Sequence, residues 1–115
     1  MPGRYRVSEK SRRTADGIVF DSMAEMERYR HLKLLQQCGE ISNLSLQPVF
    51  TLVPAYEHPT RGKIRALTYR GDFRYTYKGS LVVEDVKGVE TDVFKIKRKI
   101  LEYQNPELDF RVVKV

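Results

Sequence analysis

Asp72, Asp85 and Lys87 combine the residue types that hydrolyse phosphodiesters, and their spacing brings them together if one turn is placed correctly. With Lys78-Gly79 as a two-residue hairpin turn, Tyr77 pairs with Ser80 and counting back sets Asp72 opposite Asp85. Cross-strand neighbours have Cβ atoms about 4.5–5.5 Å apart, so two carboxylates placed this way repel. A divalent cation held by both removes that repulsion, and a hard cation such as Mg²⁺ prefers oxygen ligands. Side chains alternate along a strand, which puts Lys87 on the Asp85 face and Glu84 on the other. A metal so placed polarises a phosphate and acidifies water, while the ammonium orients that water or stabilises developing negative charge. The alternative is two solvated aspartates at sheet ends with Lys87 in a surface ion pair. A bulge would shift the register and undo the pairing.

These residues need elements to position them. A first helix is expected from Ser22 to about Cys38, ended by Gly39, with Met26, Tyr29, Leu32 and Leu35 as its apolar stripe. Glu25 falls within that stripe whereas Glu27 points away. Either it closes a capping box with Ser22, or its carboxylate serves a metal or water site, and the two roles are compatible. Extended segments at Val49–Val53, 66–77 and 81–86 read as three sequential antiparallel strands. Thr91 or Asp92 caps a second helix running to about Gln104 before Pro106, and residues 110–115 close the chain as a strand. In that helix Lys97 points among Val93, Phe94, Ile100 and Leu101, either snorkelling over apolar surface or reaching a phosphate. The expected class is α/β (α+β): a single mixed β-sheet flanked by two helices in the order αβββαβ.

A chain of 115 residues has interior for one domain, expected over residues 14–115. Residues 1–13 are expected to form a basic flexible arm, in which Arg4, Arg6, Lys10, Arg12 and Arg13 face only Glu9. The formal net charge of +6 favours a phosphate backbone, and these arginines and lysines, with Lys97, are the candidate nucleic-acid contacts. No apolar run is long enough for a membrane helix, and an intracellular, membrane-free protein is expected. Cys38 has no Cys or His at metal-ligand spacing and reads as a buried helix residue. His31 and His58 are isolated and expected to be exposed; neither a catalytic triad nor a zinc site is indicated.

Together these residues resemble the PD-(D/E)XK nuclease superfamily, and more closely a family of short phage and prophage endonuclease-like proteins within it. The resemblance runs from about Asp16 to the C-terminus and is carried by Phe20-Asp21-Ser22, Leu46-Gln47-Pro48, Gly71-Asp72-Phe73 and Val83-Glu84-Asp85-Val86-Lys87-Gly88. Gly71 stands where the motif name has proline. The resemblance implies a restriction-endonuclease-like core and DNA cleavage dependent on Mg²⁺ or Mn²⁺, with no organic cofactor. It further implies Asp72, Asp85 and the Val86 carbonyl as metal ligands, Lys87 as the residue that positions or activates water, and Glu25 as the helix carboxylate of the site. Gln47, before Pro48, either approaches the same site or satisfies loop backbone. Junction-resolving members of the superfamily suggest, by analogy, a branched DNA substrate and a homodimer. The competing expectations are a DNA-binding module that keeps the fold without chemistry, and an accessory protein whose basic arm docks on another protein.

Overall fold

The computed structural model describes residues 8–115, which form two α-helices and ten strands. In chain order these are β1 (Thr14–Ala15), β2 (Ile18–Val19), α1 (Met23–Gln37), β3 (Ser42–Leu46), β4 (Val49–Val53), β5 (Tyr56–His58), β6 (Gly62–Ile64), β7 (Leu67–Arg70), β8 (Phe73–Tyr77), β9 (Ser80–Lys87), α2 (Asp92–Gln104) and β10 (Asp109–Lys114). The class is mixed α+β. The core sheet has the order β10-β9-β8-β3. Its β8–β9 hairpin and β3–β8 pair are antiparallel, whereas β10 runs parallel to β9, the crossover being made by α2.

The expected turn is present. Lys78 and Gly79 both have positive φ, 49° and 79°, as a two-residue turn matched to strand twist requires. The ladder above it pairs Tyr77 with Ser80 and continues to Phe73 with Glu84. Both helices start as their cap residues dictate: Ser22 Oγ accepts the Glu25 N–H at 3.1 Å, and Thr91 Oγ accepts the Phe94 N–H at 3.1 Å. At the end of α1 the Cys38 N–H bonds to Leu34 O, and Gly39 adopts φ 81°. Alternation along β9 then divides the core. Val82 packs with Phe73, Tyr75 and the α1 residues Met26, Tyr29 and Leu32; Val83 packs with Tyr69, Phe110 and the α2 residues Phe94 and Leu101. Fully burying each such side chain stabilises by roughly 1.5–3 kcal/mol, which is what clamps both helices to the hairpin between them.

Several expectations are corrected. The sheet is not single: beside the four-stranded core there are three two-stranded ribbons, β1-β2, β4-β7 and β5-β6. The first core strand is Ser42–Leu46 rather than Val49–Val53, which instead pairs with Leu67–Arg70. The long extended stretch over 66–77 is broken at Gly71-Asp72 into β7 and β8. Gly71 is buried where a Cβ would lie 3.0 Å from Val83 Cγ1, and its N–H donates to Pro48 O at 2.9 Å. Proline there would crowd Val83 and lose that bond, which accounts for glycine at this position. Cys38 is exposed rather than buried, because the helix ends beneath it. Of the expected arm, Arg4 and Arg6 lie outside the described residues. Lys10–Arg13 form a short 3-10 helix, and Arg13 donates to Ser8 O and Phe20 O, so this part is tied to the domain. No helix among the described residues is long and apolar enough to cross a membrane.

Candidate active site

Where β9 leaves the hairpin, Glu25, Arg70, Asp72, Asp85, Val86 and Lys87 line one cleft of ≈ 310 Å³, with Asp21 at its rim. Each reaches it for a local reason. Asp72 lies one residue before β8, and its backbone is held on both sides: its N–H donates to Glu84 O at 3.0 Å, and its carbonyl accepts the Gln47 N–H at 2.9 Å. Asp85 and Lys87 share a face of β9, and Lys87 Nζ lies 3.5 Å from Asp85 Oδ1. The lysine stem crosses the Phe94 ring, with Nζ 4.6 Å from its centroid, which limits its rotamer freedom. Glu25, on the first turn of α1, is only 5% exposed and closes the cleft from the helix side.

Two aspartates are held by one oxygen each. Asp72 Oδ2 accepts the Val86 N–H at 2.7 Å, and Asp85 Oδ2 accepts the Tyr69 hydroxyl. Tyr69 stays a donor: burial, then its hydrogen bond to Asp85, push its pKa upward. Asp85 Oδ1 faces Lys87 Nζ. The electrostatics report a crowded site, with four carboxylates (Asp21, Glu25, Asp72, Asp85) around two cations (Arg70, Lys87). Burial first, then the charges of Asp72, Asp21 and Asp85, push Glu25 up to about 7 against the relief given by Arg70. Asp72 is pushed up to about 6, again first by burial and then by the charge and hydrogen bonding of Asp85, while the Val86 N–H and Lys87 oppose the shift. Carboxylates so placed either share protons or bind a cation.

Among the described residues, no group of three or more His, Cys, Asp or Glu side chains is placed to hold a metal ion by itself. The donor set nevertheless suits Mg²⁺, which keeps several waters and is commonly bound through one or two carboxylates. Asp72 and Asp85 supply those carboxylates.

A capping box over Ser22 and Glu25 is half formed: the serine accepts the Glu25 N–H, but among the described residues no hydrogen bond joins the Glu25 carboxylate to the Ser22 N–H. Lys97 is half-buried in a second cleft of ≈ 310 Å³ that shares Arg70 and Lys87 with the first, so it is brought to the site. Gln47 is exposed, at φ 51°, and contributes its backbone N–H to Asp72 rather than a side chain to the cleft. Lys10 and Arg12 are exposed on the 3-10 helix, outside both clefts. Arg13, in contrast, spends its guanidinium on backbone carbonyls. His31 is exposed beside Arg28, and His58 is half-buried in a turn. Glu84, next to Asp85, faces the opposite side, fully buried against Arg28 and the Tyr75 hydroxyl.

Sequence reasoning missed Tyr69 and Arg70. Strand parity through an unbroken 66–77 segment turns Tyr69 away from the Asp72 face, and the one signal against it was Gly71, since an isolated glycine in a strand pattern marks a bend; Arg70, two residues before Asp72, falls on the Asp72 face by the same parity and was legible. No curated protein and no solved structure matches this chain. A family model does match, over residues 5–115, and by that match the chain belongs to the family described as Protein of unknown function (DUF1064).

Proposed function

We propose that this chain is a Mg²⁺- or Mn²⁺-dependent endodeoxyribonuclease that hydrolyses DNA phosphodiesters, with branched DNA as its substrate and a homodimer as its working form. One observation carries the reading: Asp72, just before β8, and Asp85 of β9 meet in a cleft closed by Glu25, with Lys87 Nζ 3.5 Å from Asp85. The order α1, β3, β8, β9, α2, β10 supports it, since with the outlying ribbons set aside this is helix, three strands, helix, strand. Branched DNA and the homodimer rest on resemblance alone.

Asp72 and Asp85 would hold the ion, with the Val86 carbonyl as a third oxygen. When bound, such an ion supplies Lewis-acid polarisation of the phosphodiester and acidifies water. Lys87 carries its charge beside the same carboxylates, where it orients the attacking water or stabilises negative charge developing on the phosphate. Tyr69 and the Val86 N–H fix the two aspartates so that neither must reorient during reaction. Glu25 lines the same cleft as both aspartates, where its carboxylate can accept a proton from water. Lys97 and Arg70 extend positive charge from the cleft for the phosphates that flank the cut.

The test is cleavage of a radiolabelled four-way junction and a nicked duplex with Mg²⁺ or Mn²⁺. Asp85→Asn and Lys87→Ala are each expected to slow cleavage by about 10³-fold or more, roughly 4 kcal/mol of transition-state stabilisation. Junction binding measured in Ca²⁺ should persist in both variants. Undiminished cleavage in either one refutes the assignment. Wild-type binding without cleavage under any divalent ion moves the chain to the second reading, a non-catalytic DNA-binding module.

A further inference from the structure

The ribbon that carries Tyr69 and Arg70 into the site continues away from it, and its far end has no structural task in the core. At its base Leu52 is buried with Tyr69, Phe94 and Leu101, and Gln104 Nε2 donates to Leu52 O at 2.6 Å. From Val53 to Thr68 no residue is buried. An isolated two-stranded ribbon is marginal in water, and this stretch adds no fully buried side chain to offset the entropy of ordering it. It is ordered all the same. β5 and β6 pair in register, Tyr56 with Ile64 and His58 with Gly62. At the tip His58 Nδ1 accepts the Thr60 and Arg61 N–H groups at 3.2 and 3.1 Å, and Gly62 turns at φ 77°.

What this hairpin presents is charge. Arg61 sits in the tip, Lys63 within β6 and Arg65 just beyond it, all three exposed. Glu57 lies across from Lys63, yet among the described residues none of the three cations forms an ion pair. From Arg70, which lines the cleft, back to Arg61 the chain can extend at most roughly 30 Å at about 3.4 Å per residue. That is the length of about nine base pairs of duplex.

We infer that the 54–66 hairpin is a phosphate-gripping arm that holds the DNA duplex up to about nine base pairs from the cleft. The inference rests on the nuclease reading for the duplex lying in the cleft, but its binding prediction stands apart from cleavage. Three contacts to phosphate should contribute about 0.9 each to the slope of log K against log salt.

The experiment uses the full chain and the variant Arg61→Gln/Lys63→Gln/Arg65→Gln, whose melting temperature should match the wild type because all three side chains are exposed. Binding to a 30-base-pair duplex and to a four-base-pair duplex capped by a loop, shorter than the reach of even Arg65, is followed by fluorescence anisotropy in Ca²⁺ across a salt series. On the long duplex the slope should fall by about 2.7, whereas on the short one it should change by less than about one contact's worth. A second variant, with residues 55–65 replaced by a two-glycine turn, should behave in the same way and guards against misfolding of the first. An unchanged slope on the long duplex overturns the inference, and so does equal weakening on both lengths. If light scattering finds a dimer that the variants convert to monomer while the slope stays put, the hairpin serves a second copy of the chain and the inference falls. Weakened binding by the variants together with a wild type that cuts nothing upholds the arm and removes the nuclease reading. Normal cutting with an unchanged slope does the reverse.

Discussion

Glu84 and Asp85 are neighbours in β9 and both are almost wholly buried, yet they live under opposite electrostatic regimes. Glu84 faces α1, where Arg28 Nε and Nη2 donate to its two oxygens at 2.7 and 2.6 Å and Tyr75 donates a third hydrogen bond. Its charge is fully answered from within the protein. Asp85 faces the cleft, where its partners are one tyrosine, one lysine at 3.5 Å and further carboxylates. A fold that can neutralise one acid so completely leaves the next one under-neutralised and adds acids around it. The difference separates a charge balanced within the fold from one left under-balanced, and the proposed cation would act on the second.

Breaking the Glu84 side of this contrast should have the larger effect on stability. Arg28→Met keeps most of the side-chain volume and strips Glu84 of its cation, and removing one partner of a buried pair costs about 3–5 kcal/mol. Urea denaturation should show that loss through the midpoint at an unchanged slope. Because Arg28 touches no group of the cleft, cleavage at a temperature where the variant remains folded should persist. A loss below about 1 kcal/mol would mean that the Arg28–Glu84 pair behaves as an ordinary surface bridge and that the contrast with Asp85 is false.

The same strand shows how far the sequence can be read. The register of β8 and β9 was legible because the two-residue turn at Lys78-Gly79 fixes it, and alternation then separates Glu84 from Asp85 without any coordinates. The helix caps at Ser22 and Thr91 were legible for a similar reason, since each is a local bond from a side chain to a backbone N–H three residues on. The first core strand was not. Ser42–Leu46 opens on two polar residues, lacks β-branched ones and carries a positive φ at Asn43, and its register with β8 shifts between Ser42 and Ser45. The apolar stretch at Val49–Val53 looked the better strand and is one, but in an outlying ribbon. Arg28 as the partner of Glu84 was beyond reach, because a contact across 56 positions depends on how α1 lies over the sheet.

On the Asp85 side the prediction concerns pH and metal together. Burial raises the folded-state pKa of Glu25 to about 7 and of Asp72 to about 6, from 4.5 and 3.8. Raised carboxyl pKa values mean that the folded protein binds these protons more tightly than the unfolded chain. The stability they lend is therefore complete below about pH 4 and is lost as pH rises through about 6 to 7. A cation bound by the charged carboxylates restores what deprotonation removes. The Mg²⁺-induced rise in melting temperature should thus be small at pH 5 and grow by pH 8 to several degrees, at roughly 4–8 °C per kcal/mol for a small domain. Asp72→Asn should remove most of that rise. A Mg²⁺ effect of equal size at both pH values would show that the ion binds somewhere else.

The smallest effect separates the two roles open to Glu25. If its carboxylate completed a capping box, Ser22→Ala and Glu25→Gln would each weaken the same reciprocal pair and their costs would fail to add. The structure has only the serine half of that pair, with the glutamate turned into the cleft. Ser22→Ala should then cost about 1 kcal/mol at any Mg²⁺ concentration, the usual worth of a lost cap. Glu25→Gln should cost less than that in metal-free protein at pH 8, because a desolvated charge among other carboxylates has been removed. It should also weaken the Mg²⁺ dependence that Ser22→Ala leaves intact. A double variant whose cost is the sum of the two single costs places Glu25 with Asp72 and Asp85; a sum well short of additive returns it to the helix cap and takes one carboxylate away from the site.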